Sequence, residues 1–143
     1  QQVHELIGRR DPNRNLLVLV FATYNHFHLL TNWIESWRHV NEKPAAVPGF
    51  AIVCADTRIH QLYNGTLKQW CYFEPQPAYL MRLPKDHLGR KRLGVLQTAD
   101  IMRFVLTGLL LERGVHVLMS DPDAVPTRAI PGWLLPGLHE PPA

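Results

Sequence analysis

Three apolar runs, Leu16 to Ala22, Phe50 to Ala55 and Val115 to Met119 (the last interrupted by His116 alone), each end at a polar cluster. A strand with one wet face alternates apolar and polar residues, so a run without alternation belongs to a strand covered on both faces. Strands of that kind occur in parallel sheets, where helical crossovers supply the cover. The intervening segments have the required character. Between Phe27 and Val40, apolar Phe27, Leu30, Trp33, Ile34 and Trp37 recur at helical spacing, with Asn25 or His26 placed to cap the start. Val95, Ala99, Met102, Leu106, Leu109 and Leu110 make a second stripe, predicting a helix over 95–113 that ends at Gly114.

The remaining segments are less regular. Residues 1–15 read as an irregular N-terminal segment, and 16–125 as one α/β domain. Residues 126–143, with five prolines, read as a tail. A short helix over Arg58 to Tyr63 is expected to stop at Asn64-Gly65, with a weaker strand over Gln69 to Phe73. Residues 74–92 carry three prolines and the basic cluster Arg90-Lys91-Arg92, and read as a long solvated loop. Hydrophobic residues make up 46% of the 143 and charged residues 19%, which excludes a disordered tail or a fibre. No run approaches the roughly 18 apolar residues that span a bilayer. The net charge of +3 suits an anionic ligand but gives no argument for nucleic acid. Cys54 and Cys71 have no metal spacing, and buried thiols are the main reading, with a disulfide the lesser one. Asn64-Gly65-Thr66 is a sequon that a secretory compartment would glycosylate.

Ligands of parallel α/β sheets bind at the carboxyl ends of the strands. Three polar clusters fall there: Thr23-Tyr24-Asn25, Asp56-Thr57 and Asp121-Pro122-Asp123. In extended geometry residues i and i+2 face one side, so Asp121 and Asp123 would converge. Pro122 stiffens that arrangement. Two converging carboxylates repel unless a cation lies between them, and hard ions such as Mn²⁺ or Mg²⁺ take oxygen ligands of this kind. The alternative is an ordinary strand-end turn, where aspartates are common.

The segment Gly114 to Val125, holding Asp121-Pro-Asp123 after a hydrophobic strand and a long apolar helix, resembles the metal-binding segment of the nucleotide-diphospho-sugar transferase family. That family includes plant cell-wall xylosyltransferases. Leu17 to Asn25, the helix bearing Asn32-Trp33, and Ala51 to Asp56 follow the family's order. The similarity spans roughly residues 15 to 131 and stops before the acceptor-binding half. The resemblance implies a Rossmann-like glycosyltransferase A-type domain with a mainly parallel sheet, incomplete at its C-terminus. It implies a nucleotide-sugar donor, commonly a UDP-sugar, a glycan or glycoprotein acceptor, and Mn²⁺ or Mg²⁺ as cofactor. Carried over by position, Asp121 and Asp123 would hold the metal, and Arg103 would approach the diphosphate or sugar. Thr23, Tyr24 and Asp56 would meet the base and ribose. No residue is assigned as catalytic. The implied location is the Golgi lumen, with membrane attachment only through a segment outside this chain.

Each assignment has a competitor. Arg103 stands three residues after Asp100 and can pair with it on the helix surface. Tyr24 can pack, and Asp56 can cap the next helix. Two other functions compete with an active transferase: an inactive nucleotide-binding remnant, and a haloacid-dehalogenase-like phosphatase fragment, whose aspartate signature Val117 to Val125 also resembles. That signature opens its domain, whereas here strand-helix units precede it, so chain order favours the transferase.

Overall fold

The computed structural model, which describes residues 2–41, 49–74 and 95–128, sets the three apolar runs side by side as parallel strands. These are β1 (Leu16–Ala22), β2 (Phe50–Cys54) and β3 (His116–Ser120), in the order β2-β1-β3. Val18 pairs with Phe50 on one side and Leu118 on the other, and Ala22 lies opposite Cys54. The described residues form a small α/β domain with a three-stranded parallel sheet, as the alternation of apolar runs and amphipathic helices predicts.

Helix α1 (Gln2–Gly8) precedes the sheet, and α2 (Phe27–Val40) follows β1 after a single 3₁₀ turn over Tyr24–His26. Next come β2 and a one-turn α3 (Thr57–His60), which widens into a π turn over Gln61–Thr66. The long α4 (Val95–Glu112) then leads into β3. Even-numbered residues of β1 and β2 (Val18, Val20, Ala22, Ile52, Cys54) face α2, where Leu30, Trp33, Ile34 and Trp37 cover them. Odd-numbered residues (Leu17, Leu19, Phe21, Ala51, Val53) face α4 through Met102, Leu106 and Leu110. Every residue of β1 and β2 is buried, as runs without alternation require.

β3 departs from that expectation. Leu118 and Met119, on opposite faces, remain 42% and 40% exposed. Val117 packs against the α4-side core, but β3 is an edge strand among the described residues and its outer half is not covered. Three further segments differ from the sequence reading. Residues 2–8, expected to be irregular, form α1 because Val3, Leu6 and Ile7, at helical spacing, dock on the α4-side core. The strand expected over Gln69 to Phe73 is reduced to one parallel bridge between Tyr72 and Val53. The helix expected over 58–63 begins one residue earlier, at Thr57, and runs on to Thr66 by changing pitch. The basic cluster at 90–92 and most of the tail lie outside the described residues.

α4 ends as its glycine predicts. Gly114 takes a φ of 77°, and its N–H bonds the Leu111 carbonyl while the Val115 N–H bonds that of Leu110. This is a Schellman cap, closed by contact between buried Leu110 and Val115. A Cβ at Gly114 would meet nothing within 4 Å, so only its backbone conformation opposes substitution. Gly114→Ala is therefore expected to cost about 1–2 kcal/mol, read from urea unfolding. An unchanged midpoint would contradict the left-handed cap.

Candidate functional site at the carboxyl ends of the strands

From β1 the chain crosses to β2 on one side, then returns past β1 to β3 on the other. The carboxyl ends of β1 and β3 therefore flank a topological switch point, where open α/β sheets bind ligands. Each predicted site residue sits at this end of the sheet. Thr23 and Tyr24 follow β1, Asp56 follows β2, Asp121 and Asp123 follow β3, and Arg103 reaches in from α4.

The loop after β1 is held tightly. Thr23 is 6% exposed, and its Oγ1 lies 2.7 Å from His26 Nδ1 in a hydrogen bond that fixes the 3₁₀ turn. Tyr24 stacks on Phe27, with ring centroids 5.3 Å apart, and the Arg58 guanidinium lies 4.0 Å from the Tyr24 ring centre. Tyr24 thus packs, as its competing reading holds, while its ring stays half-buried at the mouth of the site.

Asp56 has two backbone partners. Oδ1 accepts the Ile59 N–H at 2.9 Å, capping α3, and Oδ2 accepts the Tyr24 N–H at 2.8 Å. The cap is the competing reading of this residue. The tie to Tyr24 is an addition that sequence spacing could not reveal, because the two residues lie 32 positions apart. Through it, one carboxylate registers the β2 exit against the β1 exit. Asp56→Ala removes a helix cap, typically about 1 kcal/mol, and leaves the Tyr24 N–H without its partner, adding about 1–3 kcal/mol. A total loss near 2–4 kcal/mol in chemical denaturation is expected. A loss below about 0.5 kcal/mol would contradict the two-bond role.

The acidic segment is not extended. The Ala124 N–H bonds the Asp121 carbonyl at 3.0 Å, so Asp121 to Ala124 is a β-turn with Pro122 at its second position, where proline is favoured. The expected convergence by strand alternation therefore does not occur. The two carboxylates share one tight loop instead, and both residues are exposed. Arg103 Nη2 donates to Asp121 Oδ1, and the Arg103 guanidinium sits 5.3 Å from the Phe21 ring centre, linking the end of β1 to the loop after β3. Arg103 thus pairs with Asp121; the Asp100 side chain lies outside the described residues. Arg103 Nε is buried and has no acceptor among the described residues. Trp33, read from sequence as a core residue alone, also reaches this end of the sheet. Its Nε1 donates to Ser120 Oγ at 3.0 Å.

Among the described residues no three His, Cys, Asp or Glu side chains group to hold a metal ion. Asp121 and Asp123 would supply a hard divalent cation with carboxylate oxygens only, leaving most of its shell to water and ligand oxygens. Such a donor set fits a metal shared with a diphosphate and does not fit a closed protein cage. Cys54 and Cys71 are free thiols, buried below this end of the sheet and sharing a hydrogen bond. That bond and burial push the Cys54 thiol far up, and the same bond draws Cys71 down. A cavity of about 30 Å³ lies by Leu16, Trp37 and Gly49, toward the amino ends of the strands. A groove of about 280 Å³ lies beside α2, lined by Thr31, Glu35, Arg38 and Tyr63. Neither includes a predicted site residue, and strand topology is the better guide to the site. No protein-family model matches the chain, and no curated protein or solved structure is significantly similar to it.

Proposed function

We propose that this domain binds a nucleotide-diphospho-sugar together with Mn²⁺ or Mg²⁺, and that it is the donor-binding part of a glycosyltransferase of the A-type fold. One observation carries the reading: at the β1/β3 switch point a cationic side chain, Arg103, stands beside an acidic loop, Asp121 to Asp123, opposite an aromatic loop at Tyr24. A nucleoside diphosphate has matching parts. Its base stacks on aromatic rings or on arginine guanidinium planes, and its phosphates seek cations. In this scheme Tyr24, with Arg58 above it, receives the base. Asp56 holds the Tyr24 backbone in place. Arg103 draws the diphosphate, and Asp121 and Asp123 hold the metal. When bound, that metal neutralises charge on the departing diphosphate as a Lewis acid. The sugar, the glycan or glycoprotein acceptor and a Golgi location follow from the family resemblance. The exposed Asn64 and Thr66 of the sequon agree with a secretory route.

A second reading is nucleotide binding without turnover. The Arg103–Asp121 pair favours it, because the arginine competes with a metal for that carboxylate. The two readings share the binding step, which a thermal-shift screen of nucleoside diphosphates tests directly. At a hundredfold excess over Kd, binding adds about 2.7 kcal/mol to stability. For a chain of this size that raises Tm by several degrees. The rise should appear with Mn²⁺ and be small without it. No shift with any nucleoside diphosphate, with or without metal, would overturn both readings.

A further inference from the structure

We infer that Trp33 is a positioning residue for the acidic loop, holding Ser120, and through it the turn at Asp121, in place. The inference rests on the metal–nucleotide reading and identifies what sets the geometry of that site. Trp33 is 1% exposed, and its ring is pinned on two sides. It stacks on Trp37, with centroids 5.4 Å apart and planes within 8°, and it meets Phe50 at 5.5 Å. The ring therefore cannot swing, and its N–H points in one fixed direction.

That N–H donates to Ser120 Oγ, and the Ser120 hydroxyl lies 3.2 Å from the Asp121 carbonyl, which also accepts the Ala124 N–H. The hydroxyl accepts from Trp33, so its own proton is free to turn toward Asp121. Each bond in such a chain strengthens the next. The result is a relay from the rigid face of α2 to the carbonyl that closes the acidic turn. It spans 87 residues of sequence and ties α2 to the carboxyl end of β3, where Leu118 and Met119 are left partly exposed.

Trp37 is the internal control. It lies one turn further along α2, in the same core cluster, and its Nε1 is buried with no partner among the described residues. If core packing alone explained tryptophans here, the two would respond alike to replacement by phenylalanine.

The test measures UDP affinity with and without Mn²⁺ for the full chain and for Trp33→Phe, Ser120→Ala, Ser120→Thr and Trp37→Phe. Trp33→Phe and Ser120→Ala should each weaken the metal-dependent affinity by about 3–10-fold, the usual range for one lost hydrogen bond. The double variant should lose no more than either single, since both break one relay. Ser120→Thr keeps the hydroxyl and should retain affinity, as should Trp37→Phe. In ¹H–¹⁵N spectra the Trp33 indole resonance should shift on adding UDP with Mg²⁺, and that of Trp37 should not. Ser120 is only half-buried on an edge strand, so its variants test the relay even if Trp33→Phe folds poorly. Wild-type binding with unaltered Trp33→Phe and Ser120→Ala would overturn this inference alone. A wild-type chain with no metal-dependent binding would overturn it together with the reading beneath it.

Discussion

Val18→Asp is expected to abolish folding, while Leu118→Asp, its direct cross-strand partner on the same face, should cost less than about 1 kcal/mol. Val18 is 2% exposed, in the central strand and under the tryptophans of α2. An aspartate there is a buried charge with no cation opposite, and such burial costs several kcal/mol even after relaxation. Domains carry only about 5–15 kcal/mol of net stability, so the penalty takes most or all of it. Leu118 is 42% exposed on the edge strand, and a carboxylate there keeps its water. Far-UV circular dichroism and urea titration of the two variants read the difference. Equal effects at the two positions would show that β1 is not the central strand.

The same contrast shows what was legible in the sequence. Runs such as Leu16 to Ala22 announce strands buried on both faces, because the missing alternation can be satisfied in few other ways. The stripe on α2 and the cap at Gly114 are local signals of the same strength. A run alone cannot say whether its cover is complete. Val115 to Met119, broken only by His116, looks much like the other two, yet β3 leaves Leu118 and Met119 at least 40% exposed, because cover is decided by contacts far apart in sequence. Helix α1 has no clear sequence signal, because Val3, Leu6 and Ile7 make barely one turn of pattern and its stability comes from docking. The acidic loop reads as extended in the sequence but folds as a turn, because the pull of Pro122 toward extended structure competes with its preference for the second position of a turn, and the turn prevails. At the site, the residue types and their strand ends were readable. Their partners were not. Arg103 meeting Asp121, Asp56 meeting the Tyr24 backbone and Trp33 meeting Ser120 are tertiary facts.

The second large effect concerns Asp123. Its replacement by alanine removes one of two carboxylates proposed to hold the cation, with no buried neighbour disturbed, since the residue is exposed on the turn. Loss of one partner from a charge contact costs about 2–5 kcal/mol where water is excluded, and this wet site belongs at the low end. Metal-dependent nucleotide affinity should therefore fall roughly 30-fold, with stability little changed. Arg103→Gln should act with opposite signs on two measurements. Without the guanidinium, Asp121 is free of its competing cation and the chain binds Mn²⁺ alone more tightly. The diphosphate meanwhile loses its protein cation and binds more weakly. A structural ion pair unrelated to ligand binding would change only stability.

Titration calorimetry of UDP into the chain, with and without Mn²⁺, tests the central claim most directly. The account predicts saturable binding with Mn²⁺, little or none without it, and about 30-fold weaker metal-dependent binding by Asp123→Ala. Binding that ignores the metal, or that Asp123→Ala leaves unchanged, would contradict it.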